Sequence, residues 1–551
     1  SMTEWWTRAV VYQVYVRSFA DGDGDGIGDL DGLRRRLDHI ASLGVDAVWL
    51  CPVYPSPQRD HGYDVADYFD VDPVFGGLDA FDRLVVAAAA HGLRVMLDIV
   101  PNHCSDQHPW FRAALAAAPG SDERGRFLFR DGRAGGPPNN WRAAFGGSVW
   151  TAVGGADPQW YEGTFTPYQP DFDHEHPAVD AMFADALRFW LDRGVDGFRV
   201  DAVWPVGKDT SIPDCPPLAA GEFNPYLRFR PAGHDVWRRW RRVLDDYMAD
   251  HPEREVMMIA EAYAPHRPDI TALYTRSDEF DQCFAFDLLL SPWHGPTMRR
   301  AISEAFEIVH ELRSGGRGWP TFTLNNHDSQ RTVTRYGHTD SSDPGAWTGS
   351  NLVSPTGPVD LVVGTQRARA AAGLLLAMPG AVYLYQGEEL GLPDVLDLPD
   401  DVRQDPLFAR TGGTNPGRDG CRVPMPWTRA ASGTHGFSTP GATGAPWLPV
   451  PTDWGRYAAE VQHGDDDSVL ELYRRMLAAR RRLLDVDDAA LLDGPDELIV
   501  LRRGDVVVAT NVGPEPLDVD AAAGRRAVLT TGTTPVSGTV VPGDTTVWFA
   551  S

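Results

Sequence analysis

Short, continuously apolar runs rich in β-branched residues alternate along this chain with stretches whose apolar positions recur at helical spacing. Val10–Val16 reads as a strand, Leu33–Leu43 as a helix and Asp46–Val53 as a second strand. Phe81–His91 is an Ala-rich helix closed by Gly92, and Arg94–Val100 is a third strand. After a long interruption the alternation resumes. Ala178–Arg193, Asp235–Met248, Thr297–Leu312, Val359–Met378 and Ser468–Leu484 read as helices. Gly197–Val203, Val256–Tyr263, Phe284–Leu290, Thr321–Asn326 and Ala381–Gln386 read as strands. Eight βα units imply a parallel sheet closed into a (β/α)8 TIM barrel.

Two regions break the alternation. Residues 104–177 are dense in Gly, Pro and Trp and too long for an ordinary loop, which makes them an inserted subdomain after the third strand. The barrel then occupies 1–103 and 178–485. Past Asp485, short strand-like runs separated by Gly, Pro and Asp turns predict a small antiparallel β-sandwich over 486–551. Its aromatic pair, Trp548 and Phe549, fits packing better than sugar binding. The Gly/Pro-rich stretch from Asp394 to about Asp466 reads as an ordered loop region at the barrel mouth.

The polar residues at the strand ends bring in chemistry. Asp98 (LDIVPNH), Asp201 (GFRVDAV), Glu261 (MIAEAY) and Asp328 (NNHDSQR) each follow an apolar run, on the rim where a parallel barrel binds its substrate. Glycosidic bond cleavage with retention needs a nucleophilic carboxylate and an acid/base about 5–5.5 Å apart, the acid carrying a raised pKa. Crowded carboxylates supply that repulsion. Arg199 lies two residues before Asp201, on the same strand face, where it would keep Asp201 ionised. Asp21, Asp23, Asp25 and Asp29 alternate with glycines in DGDGDGIGDLDG, a spacing that lets carboxylates converge on a hard cation. Gly32 at the twelfth position rules out an EF-hand.

Composition narrows the classes. The formal charge of −27, from 50 basic and 77 acidic residues, argues against nucleic acid and anionic membrane surfaces as partners. Five cysteines without paired spacing read as reduced thiols of a cytoplasmic protein. The opening SMTEWW has no signal-peptide pattern, and Ser1 before Met2 reads as a remnant of tag removal. No apolar run approaches the ~20 residues of a spanning helix.

The segments DIVPNH, GFRVDAV, AEAY and NNHD resemble the four signature regions of the α-amylase superfamily, glycoside hydrolase family thirteen. QPDFD at Gln169–Asp173, GYDVADY and GRDGCRVPMPW resemble its oligo-1,6-glucosidase and bacterial exo-α-glucosidase branch. The similarity runs through nearly the whole chain in the expected order. It implies a retaining exo-α-glucosidase acting on short oligosaccharides, with transglucosylation as a side activity. Asp201 would be the nucleophile, Glu261 the acid/base and Asp328 the holder of the sugar's 2- and 3-hydroxyls. Arg199 would orient Asp201, His103 and His327 would contact the glucose, and Tyr63 would stack under it. Asp64 and Arg418 would clasp its far hydroxyls, with Phe145 and Phe165 shaping the next subsite. For Arg418 a local ion pair with Asp419 is the competing reading, and for the two phenylalanines simple packing.

The resemblance also implies a structural Ca2+, with Mg2+ as the alternative, held by Asp21, Asp23, Asp25, the Ile27 carbonyl and Asp29, and no organic cofactor. A monomer or homodimer is expected. Ala202, where several α-1,6-specific relatives carry Val, leans towards α-1,4 or mixed linkages. The Lys-His pair of many endo-amylases is absent. A dedicated glucosyltransferase or isomerase, of trehalose-synthase or sucrose-acting type, is the nearest alternative. A catalytically inactive sugar-binding barrel is the alternative from another class.

Overall fold

The computed structural model describes residues 4–312, 318–345, 357–430 and 433–551; Ser1 and Met2 lie outside them. Eight parallel strands close into a barrel. They are β1 (Val10–Val14), β2 (Ala47–Leu50), β3 (Arg94–Ile99), β4 (Gly197–Val200), β5 (Met257–Ala260), β6 (Gln282–Ala285), β7 (Thr321–Thr323) and β8 (Val382–Tyr385). Neighbours follow chain order, and β8 pairs with β1 from Val10↔Val382 onward to shut the ring. Nearly every strand position is buried, because helices cover the outside and side chains fill the inside.

Two elements differ from the sequence reading. The apolar run Phe284–Leu290 is not a strand along its length. β6 pairs with β5 at Ile259↔Gln282 and Ala260↔Cys283 and ends at Ala285. Leu288, Leu289 and Leu290 are buried in the turns that follow. Hydrophobicity reports burial there, and register decides pairing. The helix of Leu33–Leu43 is two helices, Leu30–Arg35 and Leu37–Leu43, separated at Arg36 (φ −110°, ψ 7°). Elsewhere local chemistry sets the ends. Asp29, Asp360 and Ser468 accept backbone N–H groups as N-caps of Leu30–Arg35, Leu361–Leu375 and Val469–Leu483.

After β3 the chain builds a three-stranded antiparallel sheet in the order Phe129–Asp131, Asp157–Glu162, Trp150–Gly154. A second long connection, between β4 and the helix Pro231–Asp250, packs on this insertion. Trp141 donates its indole N–H to the Pro213 carbonyl at 2.8 Å, and Trp141, Val149, Trp150 and Leu227 share one apolar cluster. Lys208, the chain's sole lysine, is buried between Asn102 and Asp171 and ties the barrel rim to the insertion.

The C-terminal region forms a five-stranded antiparallel sheet, with a two-stranded sheet (Leu517–Asp518, Val540–Val541) beside it. Trp548 is fully buried and donates its indole N–H to the Gly373 carbonyl of the barrel helix Leu361–Leu375 at 3.0 Å. A Cβ on Gly373 would meet the Thr531 methyl at 2.6 Å, so the two units fit only because that position is glycine. All five cysteines are free, and among the described residues no helix is long and apolar enough to cross a membrane.

Candidate active site

At the C-terminal mouth of the barrel, a cavity of about 290 Å3 is lined by Asp201, Glu261 and Asp328, among others. Asp201 follows β4, Glu261 follows β5 and Asp328 lies five residues past β7. The fourth rim acid behaves differently. Asp98 lies inside β3, is wholly buried, and takes no part in lining the cavity. It accepts hydrogen bonds from the Trp49 indole (3.1 Å), the Tyr63 hydroxyl (2.9 Å) and Arg199 (3.1 Å).

Arg199 also donates to Asp201 at 2.7 Å through the same Nη1. One guanidinium thus serves two carboxylates, the expected Asp201 and also Asp98. Burial pushes the Asp201 carboxyl up to about 7, and Arg199 only partly offsets it against Asp98 and Asp328. Glu261 is pushed higher, to about 8, by burial and by Asp201. It accepts a hydrogen bond from the Ala202 backbone N–H at 2.7 Å. Ala202 itself sits at φ 40°, a left-handed conformation that a β-branched residue adopts at a cost. Asp328 goes the other way. Burial opposes its ionisation, but His327, Arg418 and Arg422 outweigh that and hold it well below the usual carboxylate range. At neutral pH the ordering leaves a proton on Glu261 and none on Asp328.

The floor and far end are built by loops. Tyr63 stacks on His327, ring centroids 5.3 Å apart and 3° from parallel. Gln13 contacts His327 Nδ1 at 2.8 Å, leaving Nε2 on the side of Asp328. His103 Nε2 lies 3.1 Å from the Tyr63 carbonyl and its ring borders Phe165. Phe145 and Phe165 make one wall, 5.6 Å apart, with Arg418 over the Phe145 ring.

Arg418 donates to Asp328 (2.8 Å) and grips Asp405 through Nε (2.7 Å) and Nη2 (2.8 Å). Its remaining carboxylate neighbour is Asp60, at 3.5 Å, not Asp64. Asp64 points away from the cavity and holds a turn together, accepting from Ser56 Oγ (3.0 Å), Arg59 N (2.9 Å) and Asp60 N (3.0 Å). That turn places Gln58 and His61 at φ 62° and 49° and presents Asp60 to the cavity. Asp60 therefore takes the place expected for Asp64. The Asp419 pairing is also absent: Asp419 accepts the backbone N–H groups of Gln404 and Asp405.

A family model described as the α-amylase catalytic domain matches residues 13–487. The chain belongs to the α-amylase family. It is a glycoside hydrolase. A probable alpha-glucosidase of Rhizobium meliloti (strain 1021) is 37% identical over 522 residues, 91% of this chain and 86% of the relative. The solved structure of the alpha-glucosyl transfer enzyme XgtA superposes with a TM-score of 0.84 at 33% identity, covering 100% of this chain and 99% of the other. Trehalulose synthase MutB from Pseudomonas mesoacidophila MX-45 also reaches 0.84, at 28% identity over 100% of both chains.

In this family member the acidic loop after β1 brings three of its four aspartates together. Asp21, Asp23 and Asp29 each offer an oxygen within 4.8 Å of the others. Asp25 stands outside that cluster, accepting the Ile27 N–H at 2.8 Å. Ser438 and backbone groups of residues 437–447 clamp the loop. Cavity residues that carried no sequence signal are Trp204 and Arg228, both in the β4 connection. Asp60 lies two residues before the GYDVADY segment and four before Asp64, and spacing alone does not say which aspartate faces inward.

Asp60→Asn should weaken competitive inhibition by glucose about tenfold, the order expected for a lost charged hydrogen bond. Asp64→Asn should instead lower the urea unfolding midpoint, by roughly 1–3 kcal/mol of stability. An exchange of these two effects would return Asp64 to the pocket.

Proposed function

We propose that this protein is a retaining, exo-acting α-glucosidase of short α-glucosides. The observation that carries this reading is the convergence of Asp201, Glu261 and Asp328 in one cavity, beside a pocket end closed by Arg418. Ionised Asp201 attacks the anomeric carbon, the C1–O bond breaks, and Glu261 gives its proton to the departing oxygen. Water then attacks C1, returns a proton to Glu261 and frees Asp201. A sugar hydroxyl in place of water gives transglucosylation. Asp328, kept anionic, accepts from the ring hydroxyls. Arg418, held by Asp405 and Asp328 with Asp60 beside it, closes the pocket beyond one sugar. That closure favours terminal cleavage over cleavage within a long chain.

The experiment is glucose release from maltose, isomaltose, nigerose, kojibiose, sucrose, trehalose and soluble starch. Release from disaccharides and little from starch is expected, with Asp201→Asn losing at least about 10³-fold. Isomeric disaccharides appearing without glucose would move the protein to the isomerase or transferase class. The likeness to trehalulose synthase makes sucrose the discriminating substrate. Turnover of none would leave an inactive sugar-binding barrel.

The pH dependence follows from the signs. Activity rises as Asp201 loses its proton and falls as Glu261 loses its own near pH 8. The profile of kcat/KM should be a bell, and Glu261→Gln, assayed on 4-nitrophenyl α-glucoside, should lose the alkaline limb.

The loop after β1 would take a structural Ca2+. Asp21, Asp23 and Asp29 are hard oxygen donors. Burial, reinforced by the charge of Asp23, pushes Asp25 and Asp29 up to about 6, a repulsion that a dication relieves. The ion would fix the fold of the loop and take no chemical step. Chelation with EDTA should lower the thermal midpoint, and Ca2+ at 100-fold above its Kd should restore about 2.7 kcal/mol. A midpoint indifferent to both would remove the metal.

A further inference from the structure

The cations of the pocket are not treated alike. Arg199 touches two carboxylates, Arg418 three and Arg422 one. Arg228 lines the same cavity, and among the described residues its guanidinium has neither a carboxylate partner nor a hydrogen bond. The guanidinium lies over the Trp204 ring, 4.1 Å from its centroid, and also feels the Tyr263 hydroxyl.

The side chain is also held ready. The Arg228 N–H donates to the Asn224 carbonyl at 3.1 Å, and the Phe229 N–H to the Trp204 carbonyl at 2.9 Å. Phe229 adopts φ 56°, so the backbone turns sharply where it delivers Arg228 to the pocket. Trp204 is buried and packs on Phe165, 5.5 Å between centroids. Arg418 and Asp60 close the sugar end of the pocket. Trp204 and Arg228 come from the β4 connection, which begins at Asp201, and line the same cavity as Glu261.

We propose that Arg228 and Trp204 form a leaving-group subsite for an anion, so that the favoured substrates are α-glucosides whose aglycone carries a carboxylate or similar oxyacid. This rests on the α-glucosidase reading above and adds the substrate class. A planar guanidinium binds such a group through two parallel N–H donors. The partly desolvated cation gains in this complex a counterion that none of the described residues supplies. A neutral sugar at the same place offers only hydroxyls. Arg228 is a specificity residue, not a participant in bond cleavage.

The test compares kcat/KM for 4-carboxyphenyl and 4-carbamoylphenyl α-D-glucopyranoside, which differ in charge and little in shape. The wild-type protein should favour the carboxylate at least about tenfold. Arg228→Gln should abolish that ratio, Arg228→Lys should keep part of it, and Arg228→Glu should invert it. Equal rates on both substrates in the wild type, or a preference that persists in Arg228→Gln, would overturn the anionic subsite and leave the α-glucosidase reading intact. Failure to turn over either glucoside or maltose would overturn both. The wild-type ratio alone decides the matter if a variant does not fold.

Discussion

The site is organised around one buried ionic contact, Arg199 shared between Asp98 and Asp201. Asp98 and Arg199 are register partners on adjacent strands, so barrel closure itself brings them together. Trp49 from β2 and Tyr63 from the following loop then fix Asp98 from the other side. A buried guanidinium with two carboxylates is costly to desolvate and very costly to break. Its members therefore have one arrangement. The position of Asp201 is inherited from that arrangement, and its limited acidity comes first from burial, which the shared Arg199 only partly offsets.

From there the pocket is graded by how much positive charge each acid meets. Asp328 has two arginines and a histidine and remains anionic. Asp201 has half a guanidinium. Glu261 has a backbone N–H. Three carboxylates in one cavity acquire three acidities, and chemistry that needs both a base and an acid can use the difference. The same logic marks Arg228, where the cation is present and its partner is left to a ligand.

The barrel supplies the acids, and the long connections supply the walls. The insertion after β3 brings Phe145 and Phe165, the β4 connection brings Trp204 and Arg228, and the late loop region brings Asp405 and Arg418. These pieces must hold still relative to the strands. Lys208 between Asn102 and Asp171 does part of this, and the Trp141 cluster does more.

The sequence by itself determined the barrel, because parallel strands covered on both faces must be apolar throughout and their spacing by helices is visible. It also determined the three pocket acids, because they sit at strand ends in polar contexts that an apolar pattern throws into relief. Tertiary structure alone decided what depends on direction and register. It separated Asp98 from the pocket, exchanged Asp64 for Asp60, ended β6 at Ala285 and paired Arg418 with Asp405 rather than Asp419. For Asp60 and Asp64 the one-dimensional pattern offers two residues of the same chemistry four positions apart. Which of them meets the cavity is fixed by a turn's dihedrals or by hydrogen bonds to residues far away in the chain. Arg228 is the extreme instance, an ordinary arginine in an irregular loop. Its significance lies in the carboxylate partner that none of the described residues gives it.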